Sequence, residues 1–189
     1  MGMISEYEVV VIGGSWGGRE AVVEILSGLP STFRTPIIVV LHRQKNSESY
    51  LREIIAQHLQ IEVQEVNEKE KIAGGKIYLA PSNYHVLIEE DKTFSLDVSE
   101  NVVHSRPSID VLFESAAVVY ADRLIGVLLS GANSDGSEGL HTISKKGGMV
   151  IVQNPDEAEN SFMPLAALEK TEAFVMTKAQ IREFLLTLS

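Results

Sequence analysis

The chain has 189 residues, a formal net charge of −10 and no cysteine. The length suits one domain with a full core, here expected over 1–189, and the 44% hydrophobic and 22% charged content is that of a globular protein. The acidic balance, with no basic cluster, argues against binding of nucleic acid. The missing cysteines exclude thiol catalysis, disulfides and Cys-based metal sites. Apolar runs of about six to eight residues are too short to insert in a membrane. The five histidines show no H-E-x-x-H spacing, so no metal is expected. Residues 1–8 have neither a basic region nor a long apolar stretch, and Glu6 stands where myristoylation needs Ser or Thr, so a cytoplasmic location is expected.

The first predicted strand, 9–12, runs into Gly13-Gly14-Ser15-Trp16-Gly17-Gly18 and then a helix over 19–27. Gly13 to Gly17 has the spacing G-x-S-x-G, a strand-to-helix turn that presents a serine hydroxyl at the top of a sheet. Glycines permit the turn, and the free N–H groups of the helix start suit a developing oxyanion. The competing reading of such a loop is phosphate binding. Neither register supplies the glycines of a dinucleotide fingerprint, and Gly17-Gly18-Arg19 does not end a P-loop.

Further strands are expected at 37–41, 61–66, 77–80, 124–130, 149–153 and 173–176, with helices at 47–59, 108–121, 137–146, 164–170 and 178–186. Several strands are nearly unbroken in Val, Ile and Leu, as parallel strands buried on both faces are. The alternation predicts a three-layer, doubly wound α/β domain with a mostly parallel sheet of about seven strands. Two runs break the pattern: 84–89 and 93–98 alternate apolar with polar residues around Glu90-Asp91-Lys92, which predicts an antiparallel hairpin at the sheet edge.

Open α/β sheets bind ligands beyond the carboxyl ends of their strands. Ser15 follows the first strand, His42 the second, and Asp135 the strand at 124–130, in the loop Gly131-Ala132-Asn133-Ser134-Asp135-Gly136. A serine hydroxyl needs a base, an imidazole can serve, and a carboxylate can fix its tautomer and stabilise its cation. Each residue alone has a plain reading: His42 as a loop residue, Asp135 as a turn or helix cap. His85 either lines the same rim or is a half-buried hairpin residue. His42-Arg43 keeps the nucleotide alternative open as a grip for a 2′-phosphate, without the usual acidic ribose contact.

These residues sit in a set of motifs that resembles the catalytic domain of the chemotaxis protein-glutamate methylesterases of the CheB type. The matches run from Ile12-Gly13-Gly14-Ser15 with Gly17-Gly18, through His42, Ala80-Pro81 with His85, and Arg106-Pro107-Ser108-Ile109-Asp110-Val111-Leu112-Phe113. They continue through Leu129-Ser130-Gly131 to Asp135-Gly136, then Gln153-Asn154 and Met163-Pro164. The resemblance implies a Ser15, His42, Asp135 triad that hydrolyses γ-glutamyl methyl esters on the cytoplasmic helices of methyl-accepting chemoreceptors, releasing methanol. Some members also deamidate receptor glutamines. It implies no cofactor. It makes Gly14, Trp16, Gly17, His85, Ala132 and Asn133 candidates for substrate binding, and the N–H groups around Ser15 to Gly17 candidates for the oxyanion hole. Two departures border the site: Trp16 stands where the family commonly has Thr, and Arg43-Gln44 where it commonly has Met-Pro. Most members also carry an N-terminal receiver domain, whereas here about six residues precede the run 7–12 that holds the first strand, so the catalytic domain alone is expected. Two alternatives stay open: a non-catalytic module that binds a receptor or signalling protein, with Trp16 as the altered residue, and a nucleotide-binding α/β domain.

Overall fold

The structure is a computed structural model that describes residues 7–42 and 50–188. The chain begins with β1 (Val9–Gly14), α1 (Gly18–Leu26), β2 (Ile37–Leu41), α2 (Leu51–Ala56), β3 (Glu62–Glu65) and β4 (Lys76–Leu79). There follow the hairpin strands β5 (His85–Ile88) and β6 (Phe94–Asp97), then α3 (Ile109–Tyr120) and β7 (Leu124–Leu128). It closes with α4 (Ser137–Lys145), β8 (Met149–Gln153), α5 (Phe162–Lys170), β9 (Phe174–Met176) and α6 (Lys178–Leu186). The first part of the helix expected at 47–59 falls outside the described residues. The helix expected at 164–170 starts two residues earlier, because Pro164 is tolerated in a first turn where its missing N–H has no intrahelical partner.

Seven strands form one sheet in the order β3-β4-β2-β1-β7-β8-β9, every pairing parallel. The sequence alternation thus becomes the expected doubly wound sheet. The hairpin pairs as expected, Val86 opposite Leu96, but as a separate two-stranded sheet. It is not an added edge strand; the edges belong to β3 and β9. The reason is its apolar face: Val86, Ile88 and Phe94 are buried in the same core cluster as Leu112, Phe113 and Ala116 of α3, so the hairpin covers a helix.

Both faces of the sheet are covered. Val9 and Val11 belong to a core shared with α3, α4 and α5, while Val10 and Ile12 belong to the opposite core shared with α1, α2 and α6. Burial on both faces is why β1, β2 and β7 are uninterrupted apolar runs in which alternation would have been an error.

The chain runs from β1 to β2, on to the edge strand β3 and back to β4 between them, then returns through the hairpin and α3 to β7 on the other side of β1. Between β1 and β7 the winding reverses, and the loops leaving their carboxyl ends diverge into a crevice. Gly13 lets α3 start close against that point. A Cβ there would lie 2.3 Å from Ile109 Cγ2, so only glycine admits the first residue of α3 over the end of β1.

Candidate active site

Three chain segments meet at the crevice. Ser15 leaves β1 and donates its N–H to Ser130 O, beyond β7, at 2.9 Å. His42 leaves β2 and donates its N–H to Gly14 O at 3.1 Å, continuing the ladder in which Gly14 pairs with Leu41. Asp135 sits in the loop between β7 and α4. The structure therefore brings Ser15, His42 and Asp135 to one rim.

Asp135 is fully buried, and four donors surround its carboxylate. Oδ1 accepts from Ser108 Oγ at 2.9 Å and Asp110 N–H at 3.0 Å. Oδ2 accepts from Ile109 N–H at 2.7 Å and lies 2.7 Å from His42 Nε2. Two of the donors are the free N–H groups that open α3, so a carboxylate from another segment caps this helix, whose positive end favours a negative charge. Ser108, the N-cap residue, makes no side-chain bond to its own helix; its hydroxyl is turned onto Asp135. Burial pushes the Asp135 carboxyl up, but the His42 bond, the two backbone N–H groups and the His42 charge outweigh it, and Asp135 is held below the usual carboxylate range.

An ionised Asp135 accepts only, so Nε2 of His42 carries the proton in that bond. The neutral ring then presents its lone pair at Nδ1. Ser105 Oγ at 3.4 Å and Asn133 Nδ2 at 3.5 Å flank Nδ1, both at the outer limit of hydrogen bonding. Asn133 Oδ1 also accepts the Asp135 N–H at 3.1 Å, which fixes the loop that holds the carboxylate. Only 11% of the His42 side chain is exposed, so the ring is held with one nitrogen buried on Asp135.

Asp110 answers Asp135 across the two helix starts. Its Oδ1 accepts Gly139 N–H, in the first turn of α4, at 2.7 Å. Each aspartate thus caps the helix that the other's segment begins. Burial, with the Asp135 charge adding to it, pushes the Asp110 carboxyl up to about 7 against the Gly139 bond that opposes it.

The other expected contacts divide. Asn133 stands at the site and Ala132 is exposed on the same loop. Trp16 is exposed beside Ser15. Gly14 is buried within β1, and its part is to accept the His42 N–H. Gly17 adopts φ 76° at the N-cap of α1, and a Cβ there would lie 2.7 Å from Glu159 Cβ, so its surface is covered by that side chain. His85 does not line the rim. It is fully buried, with Nδ1 accepting Ser108 N–H at 3.1 Å and Nε2 bonded to Glu100 O at 2.9 Å. It positions the start of α3 and cannot touch substrate, because both ring nitrogens are occupied. Arg43 and Gln44 lie outside the described residues.

Sequence reasoning missed Ser105, Ser108, Ser130 and Glu159. Ser108 stood in a motif and at the start of the helix expected at 108–121, with no role of its own assigned to it. Ser130 N–H is held by Gln153 Oε1 at 2.9 Å, a contact from just beyond β7 to the end of the neighbouring strand β8 that no spacing announces. Glu159 comes from the segment after β8 and lies against Gly17 at the N-cap of α1, a contact across the fold.

Fold and site together define an open α/β domain with serine, histidine and a buried, helix-capping aspartate at its switch point. Comparison with known proteins is more specific. The CheB methylesterase family model matches residues 10–185, and the chain belongs to that family. It is 48% identical over 183 residues to a Leptospira interrogans serovar copenhageni protein provisionally named protein-glutamate methylesterase/protein-glutamine glutaminase, covering 96% of this chain and 95% of that one. It is 35% identical over 185 residues to protein-glutamate methylesterase/protein-glutamine glutaminase 2 of Methanospirillum hungatei, covering 97% of this chain but 53% of the longer relative. The crystal structure of the Thermotoga maritima CheB methylesterase catalytic domain superposes with a TM-score of 0.91 at 30% identity, covering 97% of this chain and 99% of that one.

Proposed function

We propose that this protein is a cytoplasmic serine hydrolase that demethylates γ-glutamyl methyl esters on the cytoplasmic helices of chemoreceptors, with Ser15, His42 and Asp135 as its catalytic triad. The observation that carries the reading is the 2.7 Å bond from His42 Nε2 to buried Asp135, which leaves Nδ1 as the basic nitrogen on the rim that Ser15 shares. The family and the names of its relatives support the reaction class.

Ser15 Oγ attacks the ester carbonyl as His42 Nδ1 takes its proton. Asp135 stabilises the imidazolium, and its four donors keep it ionised while it does so. The Ser15 N–H is committed to Ser130 O. The N–H groups of Trp16 and Gly17, at the start of α1, are therefore the donors we assign to the oxyanion. His42 returns its proton to the leaving methoxide, methanol departs, and water attacks the glutamyl-serine ester by the same route to release glutamate. A receptor glutamine follows the same path with ammonia as the leaving group, which accounts for a glutaminase activity at one site.

A fluorophosphonate probes the nucleophile. It should add its phosphonyl group to the peptide containing Ser15, in step with loss of methanol release. Complete inactivation with that peptide unmodified contradicts the assignment.

A further inference from the structure

Trp16 is the chain's single tryptophan, it follows the proposed nucleophile, and 65% of it is exposed. It is exposed but not loose. Its Nε1–H donates to Glu159 Oε1 at 2.6 Å, a contact that spans 143 positions of sequence. The Glu159 side chain lies over Gly17, and the loop that carries it is tied to the floor of the site. Ser130 Oγ faces Trp16 O at 2.7 Å and Asn160 O at 3.2 Å as acceptors for its single proton, and it accepts Asn160 N–H at 2.9 Å. Gly131 N–H donates to Asn160 O at 3.1 Å. The loops leaving β1, β7 and β8 therefore form one unit, and the indole stands on it, held by its polar edge. A packing tryptophan would have its ring faces covered. Here the N–H is satisfied within the protein and much of the ring is left to solvent, which suits apolar contact with a partner.

We propose that Glu159 is a positioning residue for substrate selection: it holds the Trp16 indole as a bearing surface for an apolar side chain one helical turn from the esterified glutamate. The proposal rests on Ser15 being the nucleophile. On a helix, residues three and four apart lie on one face with Cβ atoms about 5–6 Å apart. A helix that delivers its ester to Ser15 therefore brings such a neighbour towards the residue beside Ser15. An apolar neighbour loses water against the indole. An acidic one meets the Glu159 carboxylate instead, at an electrostatic cost.

Three synthetic helical peptides, each with one γ-glutamyl methyl ester and Leu, Ala or Glu four residues away, test this. The unaltered protein should hydrolyse them with kcat/KM in the order Leu, Ala, Glu, with about tenfold between the first two. Trp16→Ala should level Leu and Ala. Glu159→Ala should do the same by freeing the ring, and Glu159→Gln, which keeps an acceptor for the indole N–H, should restore the Leu preference while relieving the penalty on Glu. Trp16 is also the only indole fluorophore, so saturating a Ser15→Ala protein with the Leu peptide should shift its emission to the blue. Equal kcat/KM for Leu and Ala in the unaltered protein, an undiminished preference in Trp16→Ala, or no emission change at any peptide concentration overturns the proposal. Hydrolysis that persists in Ser15→Ala sinks the nucleophile assignment separately.

Discussion

Asp135 shows why an aspartate, and not its amide, is needed at this site. All four of its partners are donors, two on each oxygen. An asparagine must turn its NH₂ group toward one of these pairs, and each pair includes a backbone N–H that cannot become an acceptor. Asp135→Asn should therefore cost stability as well as rate. Leaving one buried donor unsatisfied costs about 1–3 kcal/mol. Turnover should drop steeply; the corresponding change in a serine protease costs about 10⁴. Thermal melts and methanol release read the two losses. A variant as stable as the unaltered protein would show that the four-donor account is wrong.

Asp110 is shifted in the opposite direction. Its carboxyl is raised to about 7 in the folded protein, so the folded state binds a proton that the unfolded state releases near the ordinary value of about 4. Its contribution to stability is present at low pH and is lost as pH rises through about 7. Asp135, held low, contributes above the unfolded carboxylate range and loses its contribution as pH falls through its folded value. Glu114 is raised too, by burial first and then by Glu138 and Asp135, so the total pH profile of the protein mixes several groups. The difference between Asp110→Asn and the unaltered protein isolates one. Its melting temperature should gain on that of the unaltered protein as pH rises from 5 to 8. A constant difference across that range removes Asp110 as the titrating group.

At the scale of elements, the site depends on where α3 begins. Its first residues supply two N–H groups to Asp135, and its seat over β1 exists because Gly13 has no side chain. Gly13→Ala would place a methyl group 2.3 Å from Ile109 Cγ2. Overpacking of this kind costs about 1–3 kcal/mol, and relief by moving α3 would draw its N–H groups off Asp135. The substitution should lower both stability and methanol release. In an Ile109→Ala background, where the obstructing side chain is gone, Gly13→Ala should cost less, and a double-mutant cycle measures the coupling. Additive losses would contradict a direct contact. The sequence showed Gly13 only as the first letter of G-x-S-x-G, where it read as a turn residue. The purpose of that glycine lies in a helix about a hundred residues away, which no local pattern contains.

Across the whole molecule, the sheet was legible because burial on both faces leaves long Val, Ile and Leu runs, and helices between them force parallel pairing. The placement of Ser15, His42 and Asp135 was legible for a related reason: each follows a strand, and parallel strands end on the same side. What the sequence withheld is contact between segments. The hairpin's alternation announced a two-sided ribbon but not that its apolar face would meet α3. His85 carried a reactive side chain near the right strand end, yet α3 buries it and uses both its nitrogens. Glu159 belongs to no motif in the sequence, and only the fold sets it against Trp16.

The central claim is that this scaffold makes Ser15 the nucleophile of a methyl-ester hydrolase. The direct measurement is methanol released from a methylated chemoreceptor fragment by the unaltered protein and by Ser15→Ala, with both shown to be folded. The account predicts steady release by the first and a loss of about a thousandfold or more in the second. Equal release by the two proteins would contradict it, and so would no release from the methylated fragment by the folded, unaltered protein.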